Sequence, residues 1–394
     1  MNIHYQVYSL SLALCVFSLL FIPFSPLISF SLSIFTLLVT SKHLISYLRH
    51  CLIINSMISM IFIVASRSYI DELNHDLGHY YLVYQGLSQG YYSEIFGFGG
   101  GLEIGWPLVF LGVSRIFPAL NAIDVAIINT SLCMVLLYLW INKYAIKIAD
   151  YRDAGVVAAL IILFASVQTF GYLQRQALAT VILLFAISTS GFKSGALIIV
   201  ATIFHLTSLP IGLLFLCIKK WSHKIKIQHV IITLGIIILI KFNFIFIINY
   251  IALIGDGFPG SNKLNFYLIN ASEFALTSKR FAILIFPMIV SILLLWNRIP
   301  KSHFKIIAIF SCLSYMAFLG IPLGPERVNF ILLFIYGFFV YMYIYSFFPH
   351  ITMFFIMIYG VFFIAEKLNF FGTAMDPFWS RYPYISCEPF YFLY

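Results

Sequence analysis

Arginine is the residue whose placement in this chain points most directly to chemistry. A guanidinium group stays charged and offers a planar fork of donors that fits phosphate oxygens. Several arginines at one membrane boundary therefore suit a diphosphate group, although any one of them could instead pair with a carboxylate or extend to the interface. The membrane topology derived below predicts which side of the membrane each arginine faces. Six of the nine arginines lie at or just inside the outer side, where positive charge is disfavoured: Arg67, Arg115, Arg175, Arg280, Arg327 and Arg381.

A carboxylate and aromatic rings lie close to the first of these arginines. Asp76 is followed by Tyr80 and Tyr84 at helical spacing. Such rings can stack on sugars while the carboxylate accepts a hydrogen bond from a sugar hydroxyl. An interfacial aromatic belt would explain the tyrosines equally well, but it does not explain a carboxylate so close to Arg67.

Other polar residues interrupt apolar sequence further along the chain. Glu103 follows a glycine-rich run and enters a short apolar segment, where an unpaired acid is costly. His205 lies at a break in a longer apolar run, a position that favours a functional histidine. In the carboxyl-terminal tail, Trp379 and Tyr382 could stack on sugars or anchor the chain at the membrane interface.

The composition of the chain is typical of an integral membrane protein. Of the 394 residues, 62% are hydrophobic and 9% are charged, and the mean hydropathy is +1.00. A water-soluble domain of this composition lacks enough polar surface to cover itself. Apolar runs of roughly 20 residues recur along the chain and must be helical in lipid. We therefore predict an all-α polytopic integral membrane protein that forms one membrane-embedded domain, residues 1–394.

The apolar runs predict about eleven transmembrane helices. Two other segments, 105–118 and 195–218, have the wrong length for one span and are interrupted by proline and, in the second, by His205. We interpret each as a re-entrant helix or a pair of half-helices lining a protein cavity. The predicted spans are 5–22, 27–41, 51–66, 123–141, 154–170, 172–190, 229–248, 280–296, 304–322, 328–348 and 351–366.

Lysine sets the predicted orientation. Ten of the fourteen lysines fall on one side of these spans, which the positive-inside rule identifies as the cytoplasm. The amino terminus is then cytoplasmic. The periplasmic side holds the loop 67–104, the loop 249–279 and the carboxyl-terminal tail 367–394.

Charge and cysteine content exclude other classes of protein. The net charge of +9 does not indicate nucleic-acid binding, because the basic residues occur in short clusters between apolar runs. Five of the six cysteines lie within or at the ends of apolar segments, and no C-x-x-C pattern occurs. We expect neither a metal nor another cofactor.

Five short polar motifs follow one another from residue 67 to about residue 330. They are Arg67 … Asp76-x-x-x-Tyr80, Glu103-x-Gly105, Arg175-Gln176-x-x-Ala179, Phe204-His205-x-x-Ser208 and the pair Glu326-Arg327. Together they resemble the motifs of the EpsG/Wzy-type family of polysaccharide polymerases. The first spacing is about three residues longer than the family pattern. Either Asp71 or Asp76 can therefore correspond to the functional aspartate of the family motif.

The resemblance implies a metal-independent membrane glycosyltransferase with the GT-C-type architecture of lipid-phosphosugar glycosyltransferases. Such an enzyme of the bacterial inner membrane joins oligosaccharide repeat units carried on undecaprenyl diphosphate, at the periplasmic face, into O-antigen, capsule or exopolysaccharide. A flippase and a chain-length regulator of the same pathway are its expected protein partners.

In the expected reaction, an acceptor hydroxyl attacks the anomeric carbon while arginines stabilise the departing diphosphate. The expected catalytic residues are Asp76, Glu103, His205 and Arg175, and any of the first three can be the base. The expected substrate-binding residues are Arg67, Tyr80, Tyr84, Arg280, Glu326, Arg327, Trp379 and Arg381.

Three other functions fit parts of the pattern. A flippase for the same lipid-linked sugar would place charge toward both faces rather than one. A membrane O-acyltransferase would need a histidine with access to a cytoplasmic acyl donor, whereas His205 is predicted on the other side. An O-antigen ligase uses similar chemistry, and only the ordered set of motifs favours a polymerase over it.

Overall fold

The computed structural model is built from helices and turns, and the part of the chain that it describes contains no β-strand. This follows from the long apolar runs, whose backbone groups are satisfied within each helix. The described residues are 3–66, 76–148, 153–165, 170–171, 173–221, 224–237, 239, 288–297, 303–318, 330–367, 386 and 388–391.

The chain divides into two compact units, Met1–Leu209 with Phe334–Tyr394, and Pro210–Leu333. Helices of the first unit include α1 (Ile3–Phe21), α2 (Pro26–Thr40), α3 (Ser46–Ala65), α4 (Asp76–Ser88), α5 (Gly105–Ile116), α6 (Ala122–Trp140), α7 (Ala154–Ala165), α8 (Gln174–Ser188) and α9 (Phe192–Phe204). They are followed by α10 (Ser208–Trp221), α11 (Ile227–Ile237), α12 (His303–Phe318), α13 (Phe330–Val340) and α14 (Pro349–Lys367).

Each predicted span contains helix in the structure, so the all-α prediction is confirmed. Among the described residues, Ser46–Ala65 and Ala122–Ala145 are the two helices that are individually long and apolar enough to cross a membrane. Other apolar helices are shorter, such as α7 and α9. The number of spans and the GT-C-type architecture remain predictions.

The first of the two interrupted segments forms one continuous helix, α5, whereas the second is broken where the sequence predicts. The second one divides into α9 and α10, and His205 between them has an extended backbone with φ −156°. Pro210 lies in the first turn of α10, and Pro107 lies in the first turn of α5. Proline is tolerated there because the first turn of a helix has no internal partners for its N–H groups.

The predicted outer loop 67–104 contains a helix, α4, in its described part. One face of α4 is buried, and its residues recur at a spacing of three or four: Leu77, Tyr80, Val83, Tyr84 and Leu87. This periodicity allows the helix to pack its apolar face against the protein. The part of the loop from 67 to 75 lies outside the described residues.

Small polar side chains hold α1, α2 and α3 close together. The hydroxyl of Ser59 in α3 donates to the hydroxyl of Ser29 in α2 at 2.8 Å. The amide of Asn55 in α3 donates to the hydroxyl of Ser18 in α1 at 3.1 Å. Small residues let helix backbones approach closely, and neutral hydrogen bonds then join them within the apolar interior.

The second unit is largely apolar in its described part, with one buried lysine. Lys305 in α12 is buried, and its ammonium group donates to the backbone oxygen of Trp296. The same ammonium group lies 4.0 Å from the centre of the Trp296 indole ring. A cation–π contact and a carbonyl together stabilise this charge away from solvent.

Candidate functional site

The site is assembled from the end of a glycine-rich turn, the first turn of α8 and the break between α9 and α10. Glu103 comes from the turn, Arg175 from α8 and His205 from the break. These segments are distant in the sequence, so the site forms only when α4, α5, α8 and α9 have packed together.

The glycine-rich turn brings Glu103 into the interior. Gly99 has a φ of +58°, in the left-handed region that favours glycine. A Cβ atom at Gly99 would come closer to the Glu103 side chain than real Cβ atoms approach. The turn can therefore fold over the Glu103 side chain only with glycine at this position.

Glu103 is nearly fully buried, and both of its carboxylate oxygens are occupied. Its Oε2 atom accepts a hydrogen bond from Nη1 of Arg175 at 2.8 Å. Its Oε1 atom accepts one from Nδ1 of His205 at 2.8 Å and another from the backbone N–H of Leu206 at 3.0 Å. The carboxylate thus joins the arginine to the histidine.

Glu103 belongs to the connecting segment before α5, outside the membrane-spanning helices. Burial acts to raise its pKa, but the hydrogen bond and charge of His205, the Leu206 N–H and the Arg175 charge outweigh burial and hold the pKa of this carboxyl below its ordinary value. Glu103 is therefore ionised at neutral pH, and His205 must carry the proton on Nδ1 in order to donate it.

Tyr80 caps the first turn of α8. The residue before this helix is Leu173, and no side-chain hydrogen bond from this residue caps the helix. Instead, the Tyr80 hydroxyl accepts hydrogen bonds from the backbone N–H of Arg175 at 3.2 Å and from Nε of the same residue at 3.3 Å. One hydroxyl group from α4 thereby fixes both the helix terminus and the guanidinium plane.

Aromatic rings surround the charged groups. The Arg175 guanidinium carbon lies 4.6 Å from the centre of the Phe98 ring, which in turn packs edge-on against Tyr80. On the histidine side, Phe204 packs edge-on against Trp106, with ring centres 5.8 Å apart. Gly105 permits this approach, because a Cβ atom there would lie 2.6 Å from the Phe204 ring. These rings lower the local dielectric and strengthen the charged contacts.

The structure brings together four of the residues proposed from the sequence: Tyr80, Glu103, Arg175 and His205. Tyr84 lies in the same helix as Tyr80 but has a different environment. It is 1% exposed, and its hydroxyl donates to the Phe117 carbonyl and accepts from the Leu120 N–H. Tyr80 is also 1% exposed, so protein rather than an open surface covers both rings. This burial favours positioning roles for the two tyrosines over sugar stacking.

The other proposed residues are not part of the described site. Asp76 is the first residue of α4, one turn before Tyr80, and its side chain is outside the described part. Arg115 lies elsewhere and donates to the hydroxyl of Tyr92, an exposed ring that it also overlies. The positions that lie outside the described residues are Arg67, Arg280, Glu326, Arg327, Trp379 and Arg381.

Two contributions to the site were not predicted from the sequence. Phe98 has no polar group to mark it, and only its place inside the glycine-rich run could have drawn attention to it. The backbone N–H of Leu206 becomes available because the chain leaves the helix at His205. Within the described part of the chain, no cluster of three or more His, Cys, Asp or Glu side chains could hold a metal ion.

The family model described as EpsG family matches residues 50–385, a range that includes every residue of the site. No curated protein and no solved structure matches the chain.

Proposed function

Because the chain belongs to the EpsG family, we propose that it is a membrane glycosyltransferase that joins oligosaccharide repeat units carried on undecaprenyl diphosphate into a polysaccharide. The observation that carries this proposal is the Arg175–Glu103–His205 cluster, which combines a fixed guanidinium group with an oriented imidazole. This is the pair of groups that such a transfer needs: a cation for the diphosphate leaving group and a base for the acceptor hydroxyl.

Arg175 is the group that would stabilise the leaving diphosphate. Its side chain is 25% exposed, more than those of Glu103 and His205, so an anion can approach it. It lies in the first turn of α8, where the helix dipole adds partial positive charge. Tyr80 and Glu103 hold the guanidinium group in place before the bond breaks, which is how preorganised charge lowers a barrier.

Of the three candidate bases, the geometry favours His205. Glu103 accepts hydrogen bonds at both oxygens and therefore orients its neighbours rather than removing a proton. Nε2 of His205 has no hydrogen-bond partner among the described residues, and in the neutral imidazole with its proton on Nδ1 this atom carries the lone pair that a base needs. Nε2 is covered in this structure, so the acceptor hydroxyl would reach it after neighbouring side chains move. Asp76 is the second candidate.

The remaining arginines complete the proposed diphosphate site. Arg327 is the expected second main contact, with Arg67, Arg280 and Arg381 in support, because a diphosphate carries more charge than one guanidinium neutralises. Glu326 and Trp379 are proposed to contact the sugars. These assignments rest on the sequence.

The contacts between helices agree with the predicted membrane spans. His50 and Tyr138 are hydrogen-bonded at 3.1 Å, and both are predicted near the cytoplasmic side. Asp153 and Tyr341 are also joined at 3.1 Å and also belong to predicted cytoplasmic ends. The Arg175 cluster joins segments that are all predicted near the periplasmic side. Each of these contacts thus joins residues at the same predicted depth, which supports the predicted arrangement of the spans. The proposal that the site faces the periplasm of a bacterial inner membrane rests on the positive-inside rule.

The proposal is tested by the length of the surface polysaccharide. In cells whose only copy carries Arg175→Ala at normal abundance, we expect single-repeat product and a fall in polymerisation of about 100-fold to 1,000-fold, as for loss of one oxyanion-type donor. Arg115→Ala is the matched control, because this arginine is predicted at the same face but pairs with Tyr92 outside the site. We expect it to leave polymer length unchanged.

The same gel separates the competing functions. Polymer of normal length from Arg175→Ala cells would contradict the diphosphate role. Loss of the single repeat as well would indicate transport by a flippase or transfer by a ligase instead of polymerisation. Intact polymer that lacks acyl groups would indicate an O-acyltransferase.

A further inference from the structure

A buried amide pair joins α6 to α8 next to Arg175. Nδ2 of Asn129 in α6 donates a hydrogen bond to Oε1 of Gln174 in α8 at 2.7 Å. Asn129 is fully buried and Gln174 is 1% exposed. Gln174 is the first residue of α8 and directly precedes Arg175.

This pair is poorly suited to stabilising the fold. Oδ1 of Asn129 and Nε2 of Gln174 are both buried without a hydrogen-bond partner among the described residues. Exchanging the oxygen and nitrogen of both amides would leave the same number of groups unpaired. A buried donor or acceptor without a partner destabilises a protein by at least as much as one hydrogen bond stabilises it. An apolar pair of similar shape would therefore suit folding alone at least as well.

The position of the pair suggests what it does instead. The first turn of α8 has no cap from its own sequence, so side chains from other helices must fix where the helix begins. Tyr80 from α4 binds the backbone of Arg175, and Asn129 from α6 binds the side chain of the preceding residue. Two contacts from different helices thus bracket the arginine.

We propose that Asn129 and Gln174 are positioning residues that set the location of the Arg175 guanidinium group. This inference rests on the proposed function, since the effect of the pair on activity passes through Arg175. Misplacing a reacting or charge-stabilising group by about 1 Å can reduce a rate about 100-fold, so a small shift of the first turn of α8 is sufficient.

The test compares stability with kinetics in one set of variants. The substrate is undecaprenyl diphosphate-linked repeat unit extracted from cells that lack this chain, and the purified protein supplies the activity. In the variant Asn129→Leu with Gln174→Met, we expect an unfolding temperature equal to or above that of the wild type. We expect kcat to fall by about tenfold to 100-fold with KM little changed, because an interaction made in the transition state is lost.

Two further variants separate positioning from packing. Asn129→Gln with Gln174→Asn keeps an amide on each helix, and we expect it to restore kcat to within about threefold of the wild type. Asn55→Leu removes a similarly buried amide that donates to Ser18, far from Arg175 in the sequence. We expect it to leave kcat unchanged. A purely structural role of buried amides would not distinguish these variants.

The results of this test distinguish failure of the positioning role from failure of the proposed function. If the apolar double variant is folded and keeps wild-type kcat while Arg175→Ala is inactive, the positioning role is wrong and the proposed function stands. If the apolar variant does not fold, the pair serves stability and the positioning role is again overturned. If the wild-type protein forms no polymer from this substrate, the proposed function fails and the inference fails with it.

Discussion

Two buried polar clusters in the first unit are built in different ways. Between α1, α2 and α3, hydroxyl and amide groups such as Ser18, Ser29, Asn55 and Ser59 join consecutive helices through neutral hydrogen bonds. Around Glu103, charged groups and His205 converge from separate parts of the chain, and hydrogen-bonded partners lie up to 103 positions apart in the sequence. The first cluster joins helices that are neighbours in sequence, whereas the second brings distant segments to one point.

This difference indicates that the charged cluster around Glu103, rather than the neutral cluster between α1, α2 and α3, has the chemical role. Neutral hydrogen bonds between membrane helices contribute little stability on average, about 0.6 kcal/mol, but they permit close packing at little desolvation cost. Buried charges need partners on every side and are retained mainly where they have a function. Changes in the charged cluster should therefore affect activity strongly, and changes in the neutral cluster should affect it little.

The largest effect is expected from His205→Gln. Glutamine can still donate a hydrogen bond to Glu103, but it cannot accept a proton, so the polymerisation rate should fall by about 100-fold to 10,000-fold. The measurement is polymer formed per minute in membranes that contain only the variant. Folding should be retained, as judged by the unfolding temperature. A rate close to that of the wild type would move the role of base to Asp76.

Glu103→Gln should come next. It leaves the Arg175 guanidinium group without its carboxylate, and we expect a loss of about 2 kcal/mol in the free energy of unfolding, less than for a fully buried pair because Arg175 is partly exposed. Denaturant titration of the purified protein measures this loss. An unfolding free energy equal to that of the wild type would show that the ion pair does not stabilise the site.

The pH dependence of stability sharpens this expectation. The pKa of Glu103 in the folded protein lies below its ordinary value. The ionised carboxylate therefore contributes fully to the free energy of unfolding at any pH above the ordinary pKa range of glutamate, and this contribution is lost as the pH falls through the lowered pKa. The unfolding temperature of the wild type should therefore approach that of Glu103→Gln as the medium is acidified. A constant difference between the two proteins down to pH 3 would contradict the assigned ionisation.

Sequence patterns predicted the elements better than the contacts between them. The apolar runs fixed the helices, and the break at His205 was visible as a polar residue inside an overlong apolar segment. Arg175, Glu103 and His205 could be proposed individually because a charged or polar group in apolar sequence requires an explanation. Their mutual contacts could not be derived, since partners distant in sequence depend on how the helices pack.

The different roles of Tyr80 and Tyr84 could not be predicted from the sequence. Tyr80 and Tyr84 have the same residue type and lie on the same face of α4, so spacing alone gives them the same role. In the structure, Tyr80 holds Arg175 while Tyr84 holds the chain between Phe117 and Leu120. The choice of partner depends on where α5 and α8 end and begin, which is a property of the packed protein.

Gly99→Ala should disturb the charged cluster indirectly, with Gly100→Ala as its matched control. Both glycines have positive φ, at +58° and +66°, so alanine is strained at either position. Open space surrounds Gly100, whereas a Cβ atom at Gly99 meets Glu103. We expect a loss of about 1 kcal/mol for Gly100→Ala and about 2 kcal/mol for Gly99→Ala, measured by denaturant unfolding. Only Gly99→Ala should also reduce polymerisation. Equal effects of both would show that Glu103 can move without loss.

Ser59→Ala should have the smallest effect, and it tests the neutral cluster. It removes the donor to Ser29 in α2 and leaves a methyl group of nearly the same size, so packing between α2 and α3 is kept. We expect a loss of about 0.6 kcal/mol in the free energy of unfolding, the average for such bonds in membranes. Polymer length should match that of the wild type, because Ser59 contacts no residue of the charged cluster in the hydrogen bonds described. Shortened polymer from this variant would mean that the α1–α3 packing also determines activity, and the contrast between the two clusters would then be one of degree.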